Sequence, residues 1–480
     1  MGAHDELIEN LTFDELHAGQ QAQAVRTLTM ADIQAFALVS GDVNPAHVDH
    51  DYAEGTRFHG VIAHGMWAGA LISSLLGTEF PGPGTIYLSQ DLHFHRPVRV
   101  GDTLTVCLTV LAKDEATRHV TLDCRVRNQQ GEEVVSGEAR VRAPSAKVAR
   151  PRVALPALHL FDPEARLSAW VQALVRGPLQ AAALPCAVVH PCDEPALRGA
   201  LEAAAHGLIA PRLLGPVARL QALAATLGLS LDGLVLEDLP HSHAAAQRGV
   251  ELAARGEVAL LMKGSLHTDE LMHAVVAEPR LRTGRRLSHV FRFEVPAYPR
   301  PLLVTDAAVN IAPTLDEKAD IVRNAVALAQ ALGVARPKVA LLSAVETVTP
   351  RLPSTLDAAA LCKMADRGQI AGAELDGPLA FDNAISAEAA RIKGIDSPVA
   401  GAADILVVPD LESGNMLAKQ LEYLAGAASC GVVLGARVPI ALTSRADSAA
   451  SRLASAALAA LVAWQGRQGA VPAASPAARP

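Results

Sequence analysis

Residues 40–76 read SGDVNPAHVDHDYAEGTRFHGVIAHGMWAGALISSLL, and the fold of the amino-terminal third is read outward from this stretch. Its first half holds a carboxylate and an imidazole, Asp42 and His47, five positions apart around Asn44-Pro45. Asn-Pro keeps the chain extended and turning, so both side chains are expected to converge on one water as a general acid/base pair. Upstream, Thr29 and Asp32 form a capping box, which predicts a helix over Met30 to Val39 that delivers Ser40-Gly41-Asp42 into the turn. Downstream, Val61 to Leu76 is apolar on nearly every side, which predicts a second helix buried all round.

A helix of that kind needs a wrapper. The runs Thr85 to Phe94, Thr103 to Ala112, Thr117 to Asn128 and Glu132 to Val141 are rich in Thr and Val and separated by turn residues, and Gln21 to Thr27 alternates enough to be a first strand. The expected unit is α+β, an antiparallel sheet wrapped around a buried helix, the hotdog arrangement. His50, His59 and His64 have no Cys or second acid at metal spacing, so each is expected to be structural and no metal site is predicted.

This span resembles the signature of MaoC-type (R)-specific enoyl-CoA hydratases, D-x-N-P-x-H with a downstream A-H-G-M, here Asp42 to His47 and Ala63 to Met66. The resemblance implies that Asp42 and His47 hold the water that adds to the β-carbon of an enoyl thioester and protonate its α-carbon. It also implies that the backbone N–H of Gly65 polarises the thioester carbonyl from a helix start, that Ser73 supports the substrate, and that the unit dimerises. Residues 94–102, FHRPVRVGD, resemble a strand-turn-strand of the same family.

Composition bounds the rest. A chain of 480 residues is long enough for about three compact units. Half the residues are hydrophobic but aromatics are 3%, so cores of Ala, Leu and Val are expected. The net charge of −8 gives no general basic field, which argues against nucleic acid as a partner. Six cysteines are scattered without a CxxC and read as reduced thiols. The acidic amino terminus lacks an apolar signal core, and no apolar run is long enough to span a bilayer, so a cytoplasmic protein without a membrane partner is expected.

Residues 143–156, APSAKVARPRVALP, break periodicity, which predicts a hotdog domain over 1–145, a linker over 146–158 and a second domain over 159–465. In that domain short apolar strands alternate with helices: Cys186 to Val189, Leu208 to Leu214, Gly233 to Leu236, Val258 to Met262, Pro301 to Val304, Lys338 to Leu342, Asp404 to Val408 and Val438 to Thr443. The alternation predicts an α/β domain with a largely parallel sheet. The tail, 466–480, has no core-forming pattern and is expected to be disordered. Ligands of open α/β sheets gather at the carboxyl ends of strands, where this chain has KGSLHT from Lys263, DAAVN from Asp306 and SRADS from Ser444. Exposed N–H groups at a helix start beside an arginine suit phosphate, although neither a Walker loop nor a dinucleotide fingerprint is present.

From about Leu160 to Trp464 the chain resembles the phosphate acetyl/butyryltransferase family. The resemblance is carried by LMKG (261–264) with Thr268, SHVF (288–291), DGPLAFDNAIS (376–386), ADILVVPDLESGNMLAKQLEYL (403–424) and GARVPIALTSRADS (435–448). It implies two subdomains of the isocitrate/isopropylmalate dehydrogenase-like type with a cleft between them, a dimer, and reversible acyl transfer between CoA and phosphate. It implies no permanently bound cofactor, with acyl-CoA, acyl phosphate and inorganic phosphate as small-molecule substrates. Arg445 would bind the phosphoryl group and the developing oxyanion, with Ser444 near the sulfur. Asp447 is the nearest carboxylate for the thiol proton, or else a cap for the final helix. Lys263, Asn310 and Asn415 are the expected cleft residues. The whole reads as an acyltransferase fused to a lyase, a homo-oligomer built from dimeric domains. The alternative is a transferase carrying a non-catalytic thioester-binding or dimerising hotdog module.

Overall fold

The computed structural model describes residues 7–153, 162–180, 183–444 and 447–469. The chain divides into two compact units at residues 160/161.

In the front unit, residues 103–110 of the strand Thr103–Asp114 and residues 119–126 of the strand His119–Arg127 alternate between half-buried and buried. Leu104, Val106, Leu108 and Val110 on one strand and Val120, Leu122, Cys124 and Val126 on the next point into one core, as a period of two requires. The sheet is antiparallel in the order Gln21–Thr27, Thr103–Asp114, His119–Arg127, Glu133–Arg142, Ile86–Gln90, with His93–Phe94 also on Glu133–Arg142. The run expected as one strand from Thr85 to Phe94 is thus broken at Asp91-Leu92.

Against the buried face lies the helix Gly65–Thr78, through Trp67, Ala68, Ile72, Leu75 and Leu76. This is the hotdog arrangement, with two corrections. The helix starts at Gly65 and not Val61, and it is buried on one side only: Met66, Ala70, Ser73 and Ser74 are exposed, because one sheet covers one face of a helix. The segment expected to open the linker is also partly ordered, since Ala149–Pro151 pairs antiparallel with Leu7–Glu9. Among the described residues no helix is long and apolar enough to cross a membrane.

The second unit is α/β, with an eleven-stranded sheet among the described residues. Its order is Val235–Asp238, Ile209–Gly215, Leu184–Val189, Leu260–Lys263, Ile440–Ala441, Ala428–Leu434, Ser288–Glu294, Leu302–Thr305, Ile405–Val407, Lys338–Leu342, Glu374–Leu379. The first five strands are mutually parallel, as are the last four. Between them Ala428–Leu434 and Ser288–Glu294 are antiparallel to each other and to their outer neighbours. Most strand pairs are parallel, as expected, but neither central strand stood among the expected ones, and these two divide the sheet into two parallel blocks of opposite direction.

Register shows the consequence. Met262 pairs with Ala441, Ala441 with Val432, Val432 with Val290 and Val290 with Thr305. The carboxyl ends of both blocks therefore meet on one line across the middle of the sheet. The final helix, Ala449–Gly469, runs past Gly466, so the first residues of the expected tail are helical; residues 470–480 lie outside the described residues.

Candidate active sites

In the front unit the capping box forms as expected. Thr29 accepts from the Asp32 N–H, and Asp32 accepts from the Thr29 backbone at 2.9 Å. The helix Met30–Ser40 ends on Gly41 at φ 74°, which turns the chain and presents Asp42. Asn44-Pro45 does not stay extended. Asn44 caps a short helix, Pro45–Val48, by accepting the Ala46 N–H, and Pro at its first turn suits a helix start.

His47 Nδ1 donates to the Ile62 carbonyl at 2.9 Å, which leaves Nε2 of the neutral ring with its lone pair. His64, buried, donates from Nε2 to the Asp42 carbonyl at 2.9 Å and stacks on His47 with ring centroids 4.0 Å apart. Asp42, His47 and His64 each offer a ligand-type atom within 4.8 Å of the others, so the expected pair does converge. The two imidazoles lie against each other at a 36° tilt, each with one nitrogen on a carbonyl, a geometry suited to moving a proton.

A cavity of about 290 Å³ opens beside His47, lined by Gly65, Trp67, Phe94, Val98 and Val135 among others. Gly65 begins its helix without a side-chain cap from His64, and its Cα faces the Phe94 ring, where a Cβ would sit 3.0 Å away. Ser73 is placed otherwise than expected: it is exposed, two turns along the helix, and does not line the cavity.

In the second unit the meeting of strand ends forms a cleft of about 730 Å³. Lys263, Asn415, Ser444 and Asp447 line it together, from three separate stretches of sequence, and Thr268 stands there at the start of the helix Thr268–Ala277. Lys263 is buried, with Nζ 3.4 Å from the Thr443 carbonyl. Asn415 Nδ2 donates to the Ala307 carbonyl at 3.4 Å. Asn310 is a correction. It is absent from the cleft lining and buried in a network, donating to the Leu287 carbonyl and Asp306 Oδ2 and accepting from Arg286 Nε.

Arg445 lies outside the described residues. Its neighbours are placed: the Ser444 backbone N–H donates to Asp447 Oδ2 at 2.6 Å, and burial raises the Asp447 carboxyl above its ordinary range. Ser448, not Asp447, accepts the Ser451 N–H at the start of the final helix, so the capping alternative for Asp447 is not what the geometry shows.

Sequence reasoning missed several residues. Arg452, buried on the final helix, donates to the Ser444 carbonyl at 2.7 Å and to Thr443 Oγ1 and the Asp447 carbonyl at 3.3 Å, which holds the loop in shape. It lies in the first turn of the helix, and nothing local in the sequence marked it. Lys419 and Glu412 also line the cleft, on the helix Leu411–Tyr423. So does His289, on a central strand whose SHVF was visible but had no assigned role.

A model of the family described as phosphate acetyl/butaryl transferase matches residues 241–460, and one described as MaoC like domain matches residues 14–130. A phosphate acetyltransferase from Rhizobium meliloti is 62% identical over 281 residues, 58% of this chain and 89% of that protein. The chain belongs to the phosphate acetyl/butyryltransferase family. Its transferase unit is preceded by a MaoC-like domain, so the chain is a fusion of the two. A branched-chain phosphotransacylase from Enterococcus faecalis V583 is 32% identical and superposes with a TM-score of 0.51, covering 58% of this chain and 99% of that one. On the MaoC-like side, an R-hydratase from Pseudomonas aeruginosa is 46% identical over 32% of this chain and 100% of its own, with a TM-score of 0.32.

Proposed function

We propose that the transferase unit moves a short acyl group reversibly between CoA and phosphate, and that the MaoC-like unit hydrates a short-chain enoyl-CoA. The observation that carries the first part is the cleft in which Lys263, Asn415, Ser444 and Asp447 converge at the facing ends of two parallel blocks. Asp447, with its raised carboxyl, takes the proton of the CoA thiol. The thiolate attacks the acyl-phosphate carbonyl, a C–S bond forms, an oxyanion develops, and the C–O bond to phosphate breaks. Arg445 binds the phosphoryl group and the Ser444 hydroxyl steadies the sulfur. The 62% identical relative named phosphate acetyltransferase supports acetyl transfer, and the branched-chain homologue leaves room for longer acyl groups. The two oppositely directed blocks also fit the isocitrate/isopropylmalate dehydrogenase-like subdomain type.

In the front unit His47 Nε2, left as an acceptor by the Ile62 contact, removes a proton from water held with Asp42. The hydroxyl adds to the β-carbon, the pair returns a proton to the α-carbon, and Gly65 N–H polarises the thioester. The exposed helix face around Met66, with Ile86 and Leu88 on an edge strand that pairs on one side, supports a homodimer through this unit. CoA thioesters and phosphate are cytoplasmic solutes, which fits a cytoplasmic enzyme needing neither metal nor resident cofactor.

The test is a panel of acetyl-, propionyl-, butyryl- and crotonyl-CoA with and without phosphate. Asp42→Asn is expected to abolish crotonyl-CoA hydration and spare phosphate-dependent thioester loss, and Arg445→Ala the reverse. Loss of both activities in either variant would overturn the two-site reading. Full hydration by Asp42→Asn would remove Asp42 from the mechanism, and absence of crotonyl-CoA hydration by the wild-type chain would favour a non-catalytic front module. Light scattering of the purified chain at the mass of a monomer would remove the dimer.

A further inference from the structure

We propose that His289 touches the substrate in the transferase cleft, donating an imidazole N–H to the acyl carbonyl oxygen as the oxyanion develops; the inference rests on the acyl-transfer reading above. His289 lines the cleft from Ser288–Glu294, the central strand that reverses direction, and it is 1% exposed. Its Nδ1 is buried and has no hydrogen-bond partner among the described residues, an arrangement that costs stability unless a ligand completes it.

The space for the ring is built. Gly431, across the strand pair, has no Cβ, and one placed there would fall 2.3 Å from His289 Nε2 and 2.7 Å from Cε1. Phe291 closes the other side, edge to face at 4.3 Å. Burial holds the imidazole pKa down to about 3, so at working pH the ring is neutral, with one N–H donor and one acceptor.

Neutrality and surroundings select the acyl end of the substrate. Leu266, Phe291, Ala308, Met416 and Leu442 give the cleft apolar lining, with Phe291 directly against the His289 ring, while Lys263 and Lys419 bring the positive charge a phosphate needs. A fixed neutral donor in a dry wall strengthens toward a carbonyl oxygen gaining charge, without reorganising. Such a donor is worth about 10²–10³-fold in kcat.

The experiment compares His289→Leu with His289→Asn, whose amide overlays Nδ1, and His289→Gln, whose amide overlays Nε2. In His289→Leu, kcat for phosphorolysis of acetyl-CoA is expected to fall about 10²–10³-fold, with KM changed little and the melting temperature unchanged or raised. At least one amide variant is expected to recover tenfold or more over Leu. The infrared carbonyl stretch of bound [1-13C]acetyl-CoA, lowered by the hydrogen bond in the wild type, should return toward the solution frequency in His289→Leu. Equal kcat in wild type and Leu variant, or an equal carbonyl stretch, overturns the proposal. A wild-type chain without phosphate-dependent turnover overturns the acyl-transfer reading instead, and the carbonyl stretch still judges His289.

Discussion

Gly431→Ala is the smallest change that displaces His289 without altering its chemistry. The new Cβ would lie 2.3 Å from Nε2, about 1 Å inside ordinary contact at 3.4 Å. The strand of His289 is hydrogen-bonded on both sides and Phe291 stands 4.3 Å from the ring, so the backbone is held and the imidazole must yield by shifting within the cleft that it lines. Overpacking of this kind costs about 1–3 kcal/mol, a fall in melting temperature of a few degrees for a unit this large. The consequence for turnover is larger, since a 1 Å misplacement of a positioned group costs about 100-fold. The assay is thiol release from acetyl-CoA with arsenate or phosphate, alongside a thermal melt and far-UV circular dichroism. A folded Gly431→Ala protein with kcat within twofold of wild type would refute the reasoning, because the ring would then have moved without effect.

Three further outcomes are expected. Arg452→Leu removes three donors from the loop at 443–447. Water replaces part of them, so a loss of about 2–3 kcal/mol and a fall in acyl transfer of at least tenfold are expected, measured by denaturant melts and steady-state kinetics. Asp447→Asn should abolish transfer to CoA while leaving the protein as stable or more so at pH 7. The carboxyl pKa is raised by burial, so the stability this group contributes is full below its ordinary value and is lost as pH rises through the folded value. A wild-type rate of transfer to CoA that rises with pH through that value, absent in Asn, checks the base assignment. Asp32→Ala breaks the capping box and the 2.7 Å pair with Arg26. Burial raises the Asp32 pKa, but the Thr29 and Arg26 bonds outweigh it, so its stabilisation is present above about pH 4 and lost as pH falls. A loss of about 1 kcal/mol and weakened hydration are expected, read by calorimetry and crotonyl-CoA turnover.

Where chemistry is written in neighbouring residues, the sequence sufficed. The Thr29/Asp32 box, the Gln21–Thr27 strand, the alternation of Thr103–Asp114 and the approach of Asp42 to His47 are all set within a few residues, by side chains bonding their own backbone or by a period of two. Lys263, Ser444 and Asp447 were legible for a related reason: each follows an apolar run, and carboxyl ends of strands in such sheets face ligands. What only the tertiary structure decided was direction and company. Ser288–Glu294 and Ala428–Leu434 are as buried as their parallel neighbours, and orientation in a sheet buried on both faces leaves no periodic trace. That reversal brings two sets of strand ends to one cleft, sends Asn310 into a supporting network, and sets His289 against Gly431 from 142 residues away. Ser73 likewise reads as buried in an apolar helix, and is exposed because the number of sheets covering that helix is a property of the assembled chain.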